Sequence, residues 1–85
     1  MISYLRQVAI CESIRKTIEE ALTQGNDMGL RAKVNNIPTT ESILRAVSLF
    51  PNIRAEDELR DLITKNILSS LRLTEIQKEH LGLNG

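Results

Sequence analysis

From Tyr4 to Leu22 the apolar residues Tyr4, Val8, Cys11, Ile14, Ile18, Ala21 and Leu22 recur at three- and four-residue spacing, and Gly25 ends the pattern. That period predicts an amphipathic helix capped by Ser3 and running to about Gln24. Such a helix has about 22 residues and is roughly 33 Å long at 1.5 Å per residue. In a chain of 85 residues this stripe asks for more apolar surface than the shorter elements comfortably supply, so a partner surface is expected. Leu5, Ala9 and Ile10 lie off the stripe and need cover from a tail, from the last helix or from another chain. On the outer face Glu12 with Lys16, Arg15 with Glu19 and Lys16 with Glu20 stand four apart, the spacing of solvated helical ion pairs.

How such a short chain stabilises itself is narrowed by what it lacks. Cys11 is the only cysteine, which excludes a disulfide within one copy, and His80 is the only histidine, which leaves no Cys/His cluster for a structural zinc. Self-association is the remaining route, and a homodimer is the expectation. Tyr4 and Phe50 are the only aromatic residues, so the core has to be built from Leu, Ile, Val and Ala, a composition suited to packed helices. Eleven basic and eleven acidic side chains cancel, which removes any whole-chain electrostatic pull toward nucleic acid or an anionic membrane. No apolar run approaches the roughly 20 residues of a membrane span. The Met1 end lacks the basic flank and continuous apolar stretch of a secretory signal, and a cytoplasmic, reducing compartment is expected.

After the first helix the pattern breaks between Gln24 and Pro38. Gly25, Asn26, Asp27 and Gly29 supply turn chemistry, and then Leu30, Ala32 and Val34 alternate with Arg31, Lys33 and Asn35. A period of two is that of a strand, which would have to pair with a symmetry mate; an extended or helical connector is the favoured alternative. Thr39 or Thr40 caps a second helix with Glu41 in its first turn, Ile43, Ala46, Val47 and Phe50 on its buried face, and Pro51 as its stop. Asn52 is the expected cap of a third helix. Ala55, Leu59, Leu62, Ile63 and Ile67 form its inward stripe, and Glu56 with Arg60 and Asp61 with Lys65 lie outside. Leu68 and Leu71 lie partly around its back and need cover. Thr74 and Gln77 are spaced as a capping box for a short last helix that Gly82 closes. The expected fold is therefore all-α: one domain over residues 1–85, a bundle of three to four helices with a long amphipathic first helix, with one short strand at residues 30–35 as the alternative to a connector there.

Chemistry-bearing residues are few. Cys11 sits in the middle of the apolar stripe, where a free cysteine behaves as a small hydrophobe with a raised pKa. His80 falls at the end of the last helix, a capping position, with no second histidine or cysteine to frame it. Glu56, Asp57, Glu58 and Asp61 suit a helix N-terminus; consecutive carboxylates diverge around a helix and no calcium-type loop is present. Gly25 and Gly29 precede no lysine of a phosphate loop. No enzyme activity, cofactor, metal or small-molecule substrate is expected.

Nucleic acid is the competing partner class. From Met28 to Arg54 the residues Arg31, Lys33, Arg45 and Arg54 stand against Glu41 alone, a local excess of three positive charges. The order strand, helix, helix from Leu30 to Leu68 resembles the ribbon-helix-helix proteins. That resemblance implies a dimeric DNA-binding regulator in which Arg31, Lys33 and Asn35 face the groove while Leu30, Ala32 and Val34 face the dimer core. It covers under half of the chain. A helix-turn-helix over Ala32 to Val47 fits less well, because its first helix is only a few residues long and the apolar spacing is off by one. The leading expectation is a small protein–protein interaction module, a regulator or adaptor. Its partner or dimer interface would draw on Leu5, Val8, Ile10, Cys11, Ile14, Ile18, Leu22, Leu68 and Leu71.

Overall fold

A computed structural model describes residues 2–83. Helix α1 spans Tyr4–Thr23, α2 Met28–Ala32, α3 Thr40–Val47, α4 Glu56–Leu71 and α5 Glu75–His80, with a 3-10 turn at Lys33–Asn36 following α2. The fold is all-helical, and no strand occurs among the described residues. The expected four helices are present in order, and α2 is an addition.

The first helix begins as its sequence dictates, with the Ser3 hydroxyl accepting from the Arg6 N–H at 3.2 Å. Its inward face is rotated from the expected stripe. Ile10, Cys11, Ile14 and Leu22 are buried and Val8 and Ile18 half-buried, whereas Tyr4 and Ala21 are exposed. Packing of α1 against both α3 and α4 sets this rotation: the Arg6 guanidinium grips both Glu56 carboxylate oxygens at 2.9 Å, and Arg15 donates from Nε to the Pro38 carbonyl at 2.9 Å and from Nη1 to Thr40 Oγ1 at 3.3 Å. Arg15 and Glu56 are thus drawn into links between elements, rather than into the expected pairs with Glu19 and Arg60. Asp61 and Lys65 do form their pair, at 2.8 Å.

Residues 30–35 are helical: the favoured connector is present in its helical form, and the alternative of a short strand there is corrected. Asp27 caps α2, its Oδ1 accepting from the N–H groups of Gly29 at 2.9 Å and Leu30 at 3.2 Å. Once those donors are satisfied in a helical turn, the alternation loses its meaning: Leu30 is buried and Val34 half-buried, but Ala32 is exposed. A second correction falls on α3. Thr39 caps it as expected, but the helix ends at Val47. Leu49 and Phe50 then donate to the carbonyls of Ala46 and Val47 three residues back, at 3.2 and 3.0 Å, a tightening that swings Phe50 off the buried face. Ala55 rather than Asn52 occupies the cap position of α4 without a side-chain bond, and Glu56, Asp57 and Glu58 supply the negative charge its N-terminus favours.

The core joins Ile10, Cys11, Ile14 and Leu22 of α1 to Leu30, to Ile43, Leu44 and Val47 of α3, and to Leu59, Ile63, Ile67 and Leu71 of α4. Leu71, which looked uncovered in the sequence, is fully buried, and Leu68 packs half-buried against the same core. Past α4 the chain turns through Arg72, left-handed at φ 51°, and the Lys33 ammonium donates to the Arg72 carbonyl at 3.1 Å. The Thr74–Gln77 capping box then opens α5 as expected.

Candidate interaction surface

Large apolar side chains are left exposed at several places, Tyr4 and Leu5 on α1, Met28 on α2, Ile76 on α5 and Leu83 after it, and at the α3–α4 corner two of them, Leu49 and Phe50, stand together on a groove. Pro51, having no N–H, cannot extend the turn that ends α3, and residues 51–55 run non-helical into α4. Two large side chains are stranded outside the core: Leu49 is 78% exposed and Phe50 55% exposed. Beside them lies an open groove of about 400 Å³, lined by Leu49, Phe50, Pro51, Asn52, Ile53 and Leu62, with Glu58 and Asp61 on its α4 side. Phe50, Pro51 and Ile53 also border a smaller depression shared with Ile2 and Gln7 at the start of α1. The apolar surface therefore runs from the N-terminal end of α1 across the corner to the middle of α4. An exposed cluster of this kind, rimmed by polar residues, has the character of a contact surface.

The nine residues expected at an interface are dispersed by the structure. Ile10, Cys11, Ile14, Leu22 and Leu71 are covered by this chain's own helices, Val8, Ile18 and Leu68 are half-buried against the core, and Leu5 alone is exposed, at 81%. None of the nine lines the corner groove. The sequence did contain a signal for the corner: Leu49-Phe50-Pro51 places two large apolar residues directly before a helix breaker.

Of the residues expected to meet nucleic acid, Arg31 donates from Nε to the Gly25 carbonyl at 2.9 Å and Lys33 holds the Arg72 carbonyl, while Asn35 is exposed in the 3-10 turn. Both cations serve as backbone caps within the chain. Without a strand at residues 30–35, the ribbon of a ribbon-helix-helix protein is missing.

Cys11 is fully buried, and that burial pushes its thiol up against the smaller opposing effects of Thr40 and Arg15. His80 Nδ1 lies 2.9 Å from Asp27 Oδ2, which ties α5 to the α1–α2 turn. The Asp27 carboxyl is held below its ordinary value first by this His80 hydrogen bond and then by the Leu30 N–H. Glu56 is held low by its hydrogen bond to Arg6. Each of these groups has a structural partner on a neighbouring element, and no cluster of three metal-ligating side chains occurs among the described residues. Among the described residues no helix is long and apolar enough to cross a membrane. The chain matches no family model, and neither a curated protein nor a solved structure matches it.

Proposed function

We propose that this chain is a small protein–protein interaction module, a regulator or adaptor, whose contact surface is the α3–α4 corner. The observation that carries this reading is the exposure of Leu49 and Phe50 beside the Ile53–Leu62 groove. Exposed apolar surface of this size is left in water in the monomer, and covering it yields about 25 cal/mol per Å² of apolar surface removed from water. An aromatic anchor next to a groove is also the usual centre of binding energy in an interface. Non-enzymatic action without a cofactor is part of the proposal, as is a reducing, cytoplasmic setting in which Cys11 stays a thiol.

The supporting surface differs from the one expected on α1, because the stripe of that helix is used internally. A photoreactive amino acid at position 49, introduced in the producing cell, tests the proposal. The expected result is a discrete protein–protein adduct that disappears when Phe50→Asp is added. Absence of any adduct from position 49 overturns it.

A further inference from the structure

We infer that α5 is a strap that opens as a unit about Arg72 while the α1–α3–α4 core stays folded, with the His80–Asp27 bond as its latch and Leu30 of α2 as the apolar side chain it uncovers. Each of the other α-helices sends at least one buried side chain into the core, and α5 sends none. Its apolar attachments flank it: Leu73 before and Leu81 after are half-buried against the core, whereas Ile76 within it is 64% exposed. Gln77 bonds back to the Thr74 cap, and Lys78 pairs with Glu75 of the same helix at 3.6 Å. Among the described residues, the 2.9 Å bond of His80 Nδ1 to Asp27 Oδ2 is the one hydrogen bond from an α5 side chain to another element.

Both ends of the strap suit this movement. Behind the latch a cavity of about 400 Å³ lies between His80 and Leu81 on one side and Ala21, Gln24 and Leu30 on the other, so this contact lacks the close packing of a core. At the other end the chain leaves α4 through Arg72, whose φ of 51° is unfavourable for a residue with a Cβ, and release of α5 lets the hinge relax. Once undocked, a helix of six residues is too short to persist in water even with its capping box. In the open state α5 is therefore melted, Leu81 is withdrawn and Leu30, buried when the strap is closed, meets solvent. Elements with few buried apolar contacts open at lower free energy than the core beside them. None of these residues lines the α3–α4 groove, so the strap works whether or not that corner binds a partner.

Amide hydrogen exchange of the full chain by NMR, followed from zero urea to just below the unfolding transition, tests the strap. The N–H groups of Lys78 and Leu81, bonded to the carbonyls of Thr74 and Gln77, report on α5; those of Ile63 and Ile67 report on the core. The α5 amides are expected to exchange through openings at least about tenfold more frequent than those of the core and nearly independent of urea, while core exchange climbs steeply because it exposes far more surface. His80→Ala and Asp27→Ser, the second retaining a cap for α2, are each expected to raise the α5 opening constant about two- to fivefold, as the loss of one exposed ion pair does, and together no further. The thiol of Leu30→Cys is expected to react with a disulfide reagent with the weak urea dependence of α5, and the fully buried native Cys11 with the steep dependence of the core. Three results each overturn the strap: α5 amides that match α4 in protection and urea dependence, latch substitutions with no effect or with additive effects, or a thiol at position 30 that reacts only together with Cys11.

Discussion

At the scale of single residues, Asp27 connects the most structure. Its Oδ1 caps α2 through Gly29 and Leu30, and its Oδ2 meets His80 from the far end of the chain. The carboxyl is held below its ordinary value, chiefly by His80. A carboxylate depressed in the folded state stabilises the fold above its ordinary range, near pH ~4, and that contribution is lost as the pH falls through the lowered folded value. Asp27→Asn keeps a competent cap but removes the charge. The melting temperature of wild type should therefore exceed that of Asp27→Asn near neutrality, with the gap closing below pH ~4. Thermal melts across that range measure it, and a pH-independent gap would mean that the charge is irrelevant. The Asp27 cap was only half legible in sequence: Asp27 reads as a turn residue, but its bond to His80 joins positions 53 apart.

At the scale of elements, helix ends explain both what was legible and what was not. Ser3, Thr39 and Thr74 are caps whose hydroxyls bond the N–H three residues on, so their helices are announced locally. The end of α3 is not, because the turn that exposes Phe50 satisfies the same carbonyls another helical turn would have used. The end of α4 rests on Arg72 in the left-handed region, a conformation costing about 1–2 kcal/mol for a residue with a Cβ. Glycine adopts it freely but loses more backbone entropy on folding. Arg72→Gly is therefore expected to stabilise the chain by about 0.5–1 kcal/mol, since the carbonyl that accepts from Lys33 is retained. Urea denaturation decides this: a destabilised variant would show that the Arg72 side chain contributes more than its backbone strain costs.

At the scale of the whole molecule, one core is shared by α1, α3 and α4, within an envelope of 40 × 23 × 16 Å. Ile63, at 0% exposure, lies in that core. Truncating a buried isoleucine to alanine costs about 2–5 kcal/mol, against a total of about 5 kcal/mol at the low end for small proteins. Ile63→Ala should leave the chain largely unfolded or with a sharply lowered urea midpoint. Leu5→Ala, on the exposed side of α1, should change stability by no more than about 0.5 kcal/mol. Equal midpoints for the two variants would overturn the assignment of the core to the α1–α3–α4 interface.

What the sequence determined by itself is what depends on neighbours a few residues apart: the helical class, the length of α1 from Ser3 to Gln24, the Thr39 start of α3, the Leu59–Ile63–Ile67 seam of α4 and the Thr74–Gln77 box of α5. Tertiary structure decided what depends on which surface meets which. The rotation of α1 places Ile10 inside and Tyr4 outside because the helix packs against two others at once, through Arg6 to Glu56 and Arg15 to Pro38. The same packing consumed the apolar stripe that had suggested an outside partner and left the corner at Leu49 and Phe50 open instead. Hydrophobic periodicity specifies how much apolar surface an element must cover, but not whether its own chain or another one covers it.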